Sequence, residues 1–261
     1  MPRPPRLPRI ADRLRGWGRW RWIVFGVVCA GLLGLVAVAL RGNAPQGRPV
    51  AGASDGAIGL FTTLPILWAE TEDVAGLLRR DATPHWARDV LAREGAIVPL
   101  DNLAQLRGIG LLVMAQPRPL SPQENVAVDR WVRGGGRLLL FADPMLTAPS
   151  AYALGDRRRP QDVVLISPLL GHWGMRLTFD EAQGLGDTIV PVADARVTMN
   201  LPGRVEITDG VACRSEGQGH GARCRIGKGA VLVVADAALF EQGTAEAARG
   251  EALARLIASL R

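Results

Sequence analysis

Hydrophobic positions fall into three regimes along the chain. The first is one unbroken run, Trp22–Leu40 (WIVFGVVCAGLLGLVAVAL), without a charge over 19 residues. At about 1.5 Å per residue it reaches roughly 28 Å, the thickness of a bilayer's hydrocarbon layer. The second, Gly42–Gly56 (GNAPQGRPVAGASDG), has no apolar periodicity and reads as a flexible tether. From residue 57 onward, short apolar runs alternate with helical patterns.

Six of those runs predict strands: Ile58–Phe61, Ala96–Val98, Ile109–Ala115, Arg137–Ala142, Val163–Ile166 and Ala230–Ala235. The longest are almost continuously apolar, as in strands buried on both faces. Between them lie four predicted helices. Glu70–Arg80 is one. The next opens with Thr83 as N-cap and Pro84 at N1, with Trp86, Ala87, Val90 and Leu91 on one face and Gly95 past its end. The third has the strongest local signature: Ser121-Pro122-Gln123-Glu124 is a capping box, Val128, Trp131 and Val132 form the stripe to be buried, and Gly134–Gly136 ends it. The last, Thr244–Leu260, spaces Leu253, Leu256, Ile257 and Leu260 at helical intervals. Alternating strands and helices predict an α/β fold, a mainly parallel sheet with helices on both faces. Residues 188–228 switch to short β runs with Pro and Gly, a small antiparallel insertion.

Charge changes this picture at one end. The chain of 261 residues has 31 Lys and Arg against 25 Asp and Glu, a net +6. Eight arginines and one acid lie in residues 1–41, so the basic excess flanks the apolar run. That is a topology signal and not a nucleic-acid footprint. It predicts a cytoplasmic Arg-rich segment (1–21), a transmembrane helix (22–40), a linker (41–56) and a periplasmic α/β domain (57–261) held at the inner membrane. Trp17, Trp20 and Trp22 sit where an interfacial aromatic belt is expected. The rival reading is a cleaved signal peptide, for which Ala37-Val38-Ala39 supplies a small-x-small site; the apolar run is longer than a usual signal core, and Arg41 follows closely.

Candidate chemistry is sparse. The turn after the strand 137–142 reads Asp143-Pro144-Met145, with no cysteine or serine nucleophile, and no G-x-S-x-G elbow occurs. Asp143 and Asp236 each follow a buried strand, at the edge where open α/β sheets bind ligands. They read either as a polar pair lining a cleft or as caps of the following turns. His85, His172 and His220 lack ligand spacing, His85 being placed as a surface residue in a first helical turn, so no metal or cofactor is expected. The glycines at 134–136 and 217–221 do not form a phosphate loop. Arg157-Arg158-Arg159 reads as a solvated loop or a docking patch; Trp68, Trp86, Trp131 and Trp173 read as core or cleft lining. In the periplasm Cys213 and Cys224, the two cysteines outside the apolar run, are expected to form a disulfide across a Gly-rich turn.

The run LLVMAQPRPLSPQENVAVDRWVRGGGRLLLFADPM (111–145) resembles the auxiliary domain of gliding-motility-type ABC transport proteins. The matching positions are Pro117, Leu120, Ser121, Asp129, Trp131, Val132, Gly135, Gly136, Arg137, Asp143 and Pro144. GLFTTLPI (59–66) and IGKGAVLVVADAALF (226–240) are similar to that domain's opening and closing strands. Members of that family are often longer and end in a second membrane helix; the last pattern here is a soluble amphipathic one. The resemblance implies a glutamine-amidotransferase-like (flavodoxin-like) α/β sandwich beside an ABC permease and ATPase. The expected role is a non-enzymatic accessory that binds a partner or ligand. A hydrolase-like enzyme using Asp143 or Asp236, and a structural envelope scaffold, are the alternatives.

Overall fold

The computed structural model of the chain describes residues 56–70, 84–208 and 212–261. The apolar run 22–40, the arginines before it, the linker up to Asp55 and all of the predicted helix at 70–80 except Glu70 lie outside them. Among the described residues no helix is long and apolar enough to cross a membrane. The chain divides into two units, Met1–Ala51 and Gly52–Arg261; everything described belongs to the second.

In chain order the strands are β1 (Ala57–Thr62), β2 (Ile97–Pro99), β3 (Ile109–Ala115), β4 (Arg137–Phe141), β5 (Met175–Thr178), β6 (Thr188–Val192), β7 (Ala195–Met199), β8 (Arg204–Ile207), β9 (Cys213–Glu216), β10 (Gly221–Ile226) and β11 (Gly229–Val234). The helices are α1 (Trp86–Glu94), α2 (Pro122–Arg133), α3 (Ser167–His172) and α4 (Glu246–Ala258). One sheet of seven strands, ordered β2-β1-β3-β4-β11-β10-β9, organises the domain. Its first five strands are mutually parallel; β10 and β9 add to it antiparallel.

Side chains alternate across a strand, so a sheet covered on both faces needs apolar residues at every position. Leu112, Met114, Leu138, Leu140, Val231 and Val233 enter one core, with Val128 and Val132 of α2 and Leu169 and Leu170 of α3. Their neighbours Leu111, Val113, Leu139, Phe141, Leu232 and Val234 enter the other, with Ala87, Val90 and Leu91 of α1 and Leu253, Leu256 and Ile257 of α4. The capping box of α2 is formed in both directions: Ser121 Oγ accepts from the Glu124 N–H (3.2 Å), and Glu124 Oε2 accepts from the Ser121 N–H (2.8 Å).

Five sequence expectations are corrected. Residues 163–166 are not a strand: Val164 and Ile166 are buried and Val163 and Leu165 exposed, but the segment lies against the core without joining a ladder and leads into α3. Alternation reports which side faces the core, not whether a partner strand lies alongside. The stretch 188–228 is not one insertion. Within it β6 and β7 form a separate hairpin, β8 pairs with β5, and β9 and β10 extend the main sheet. The N-cap of α1 is His85, whose Nδ1 accepts from the Ala87 N–H (3.1 Å). His85 is also buried and not a surface residue: its Nε2 bonds the Phe240 carbonyl (2.7 Å) and burial holds its pKa below the usual value, so it stays neutral. Trp131 is half-buried rather than sunk in the core, its ring lying over Gly136.

The tightest backbone contact is at Gly229, where a Cβ would lie 2.1 Å from the Val132 carbonyl and 2.3 Å from that of Gly136. Both are main-chain atoms at the junction of α2, β4 and β11, so neither can swing aside. Gly229→Ala is expected to cost about 3 kcal/mol, the upper range for overpacking. Ser121→Ala, which removes one capping acceptor, should cost about 1 kcal/mol. Urea unfolding of the two variants checks the order; equal costs would show that the α2 terminus moves freely away from β11.

Candidate functional site at the carboxyl edge of the sheet

The strand order reverses between β1 and β3, which places a crevice at their carboxyl ends, where open α/β sheets take ligands. This chain fills that crevice with its own side chains. Thr62 Oγ1 donates to the Ala115 carbonyl (2.7 Å) and Thr63 Oγ1 to that of Gln116 (2.5 Å). Gln116 is fully buried with φ +44. Its Nε2 donates to the carbonyls of Asp143 (3.1 Å) and Gln161 (2.7 Å), and its Oε1 accepts from the Asp143 N–H (3.0 Å). One amide thereby ties the end of β3 to the end of β4 and to the loop that follows. The sequence reading passed over Gln116; its signal was a polar residue closing an apolar strand just before Pro117.

Asp143 and Asp236 follow the adjacent strands β4 and β11 and are brought together, both buried. Each of their oxygens accepts one backbone N–H. Asp143 Oδ1 takes Met145 (2.8 Å) and Oδ2 takes Ala237 (3.0 Å); Asp236 Oδ1 takes Ala238 (2.6 Å) and Oδ2 takes Asn200 (2.9 Å). Both cap turns, and each also pins a segment remote in sequence or from the next strand. Burial pushes the Asp143 pKa up to about 6, against the pull of the N–H groups of Met145 and Ala237 and with help from the charge of Glu241. Burial and the neighbouring Asp143 raise Asp236 well above the carboxylate range. Two carboxyls enclosed together cannot both ionise without opposing each other.

The other candidates are dispersed. His220 bonds the Gly203 carbonyl through Nδ1 (2.7 Å), and His172 lies 3.4 Å from Asp129 on another face. Among the described residues no three His, Cys, Asp or Glu side chains group as a metal ion requires. Arg158 pairs with Asp156 and lies over the Tyr152 ring; Arg159 pairs with Asp162. Trp173 is buried, with its indole N–H on Asp129 (2.8 Å); Trp68 is exposed; Trp86 and Trp131 are partly covered. Cys213 and Cys224 stand opposite each other across β9 and β10 and are bonded. At the other end of α2, burial disfavours ionised Glu124, but hydrogen bonds from Arg118, Ser121 and Leu103 outweigh it and hold its pKa at about 2.

The carboxyl pair sets a pH dependence whose sign is fixed. Asp143 titrates at about 6 when folded and near its ordinary 3.8 when unfolded, so the folded chain binds the extra proton between these values. Its contribution to stability is greatest below about pH 4, falls as pH rises to about 6, and is flat above, a change on the order of 3 kcal/mol. Asp236 adds in the same sense. Glu124 acts oppositely, and only below about pH 4.5. Urea midpoints measured from pH 4 to 7 should therefore decline. Asp236→Asn, which leaves one N–H without its acceptor, should lower stability at pH 4 by about 1–2 kcal/mol while flattening the decline. A midpoint rising from pH 4 to 7 would refute the assignment.

Known proteins add two kinds of likeness. No curated protein matches the chain. Among solved structures, the exo-β-1,4-mannosidase Op5Man5 from Opitutaceae bacterium strain TAV5 is 13% identical with a TM-score of 0.49 over 79% of this chain and 36% of that one. The chain thus spans about a third of that enzyme. The mmIFT52 N-terminal domain is 12% identical (TM-score 0.47, 77% of this chain and 94% of that one). The cytoplasmic protein STM1381 from Salmonella typhimurium LT2 is 8% identical (TM-score 0.45, 78% and 99%). These scores carry no functional argument. In sequence, residues 93–207, which include α2, β4 and Asp143, match the family described as an ABC-type uncharacterized transport system, and the match supports an ABC-transport auxiliary domain.

Proposed function

We propose that the chain is a membrane-anchored accessory component of an ABC-type transport system, acting in the periplasm by binding a partner and not by catalysis. The observation that carries this reading is the family match over residues 93–207. The state of the carboxyl edge supports its non-enzymatic half: all four oxygens of Asp143 and Asp236 are engaged by backbone N–H groups, and Gln116 fills the crevice beside them. The apolar run 22–40 and the arginines before it support the anchor and its orientation. The ATPase and permease of such a system are the expected partners, and a glutamine-amidotransferase-like ancestry is the finer reading of the fold. The Cys213–Cys224 pair suits an oxidising compartment. A carboxylate-based envelope hydrolase is the second reading, favoured by the raised pKa values of Asp143 and Asp236.

Four measurements test this. The tagged full-length chain, solubilised in mild detergent from its own cells, should co-purify with an ABC ATPase and permease; recovery without either would sink the accessory role. If the hydrolase reading holds, Asp143→Asn will abolish function while complex formation and folding persist. A reporter active only in the periplasm, fused after residue 60, should be active, and non-reducing mass spectrometry of the exported chain should find Cys213 joined to Cys224. Two free thiols there would argue against the compartment.

A further inference from the structure

We propose that the amino edge of the sheet, where the parallel strands begin, is a docking face for anionic phospholipid headgroups. The proposal rests on the reading that residues 22–40 anchor the chain.

Right-handed α/β connectivity brings strand starts and helix ends to one edge. Here that edge collects Arg93 at the end of α1, Arg107 before β3, Arg130 and Arg133 at the end of α2, Arg137 at the start of β4, Arg225 and Lys228 around the β10–β11 turn, and Arg255 and Arg261 at and beyond the end of α4. Against these nine cations stand four carboxylates toward the ends of the same helices. Three are already paired, Glu94 with Arg261, Asp129 with Arg133 and Glu251 with Arg255; the fourth, Asp89, lies one turn before Arg93. The other six cations have no acidic partner among the described residues, and all but the half-buried Arg137 are exposed. Residues 56–261 together carry 22 Lys and Arg against 23 Asp and Glu. The basic excess of this edge is therefore balanced by an acidic excess over the rest of the domain.

A structural reason exists for part of the set. Cations at helix C-termini complement the helix dipole, which accounts for Arg93 and Arg130. It does not account for Arg107, Arg137, Arg225 and Lys228, which sit on strand ends and turns. Lys228 is held outward by a tight turn with Gly227 at φ +59, fastened to α2 through the Lys228 N–H and the Arg133 carbonyl (3.1 Å). Arg137 donates Nε to the Gly110 carbonyl (3.2 Å) at the wall of a cleft of about 320 Å³, leaving its terminal nitrogens without a partner among the described residues. Gly56 lines the same cleft. The chain thus enters the domain at its basic edge, and only residues 41–55 separate that entry from the apolar run.

Fifteen residues reach at most about 50 Å even when fully extended. A domain so tethered stays near the bilayer, and its charge asymmetry turns this edge toward a negative surface. The attraction is short-ranged, fading over about 8 Å at physiological salt. It therefore needs the edge itself to face the lipid.

The test uses the full-length chain in phosphatidylcholine nanodiscs with and without an anionic phosphatidylglycerol component. Amide hydrogen exchange is followed at 107–110, 134–137 and 226–229. Exchange in these segments should slow several-fold only in the anionic discs, an effect lost at high salt and in the triple variant Arg107→Glu, Arg225→Glu, Lys228→Glu. These three side chains are exposed, and circular dichroism checks that the variant folds. Insertion into both kinds of disc with the same exchange in each would overturn the proposal while leaving the anchor intact. Failure to enter either disc would overturn the anchor and, with it, the docking face.

Discussion

Two buried carboxyls, each holding a pair of backbone N–H groups, close the upper edge of this domain, and the rest of the architecture is arranged around them. The parallel strands β4 and β11 lie side by side, and each ends in an aspartate that reaches back into a turn. Asp143 spans its own turn and that of Asp236; Asp236 spans its own turn and Asn200, at the end of the β6–β7 hairpin. A hairpin, a sheet and the loop 144–166 are thus tied by hydrogen bonds made in a dry interior, where an unmatched donor is costly. The protein accepts carboxyls that resist ionising there in return for four backbone donors satisfied.

The motif shared with transport auxiliary proteins takes on physical content in this setting. Ser121 and Glu124 start α2. Asp129 receives the Trp173 indole and Arg133, fixing α2 to the segment after α3. Trp131 covers Gly136, a position with no room for a side chain, and Gly229 meets the same junction from β11. Asp143 ends β4. These residues serve the geometry around α2, β4 and β11, which is why a fold-level likeness does not by itself name a reaction.

The central strands were legible because burial on both faces writes itself as unbroken apolar runs, and α2 because its caps are local. What could not be read was set by contacts distant in sequence. Residues 163–166 alternate as a strand does, yet no strand lies beside them. His85 looked exposed because nothing nearby in sequence announces the Phe240 carbonyl that receives it. Gln116 carried no motif at all, and its role depends on two loops meeting over it. Asp143 and Asp236 were found from their places after buried strands, where they read as lining a cleft or capping the following turns; the bonds to Met145 and Ala238 are such caps, while those to Ala237 and Asn200 depend on segments distant in sequence.

The margins of the main sheet limit how anything can bind it. On one side β2 has three residues and ends in Pro99, which offers no N–H to a ladder; on the other, β9 has four and is stapled to β10 through Cys213 and Cys224. Neither margin is long enough to template an incoming extended peptide, and the stapled one cannot peel away to exchange with another copy. Association by strand addition to the main sheet is thereby disfavoured at both sides, which leaves its loops, helices and two-stranded sheets for a protein to engage.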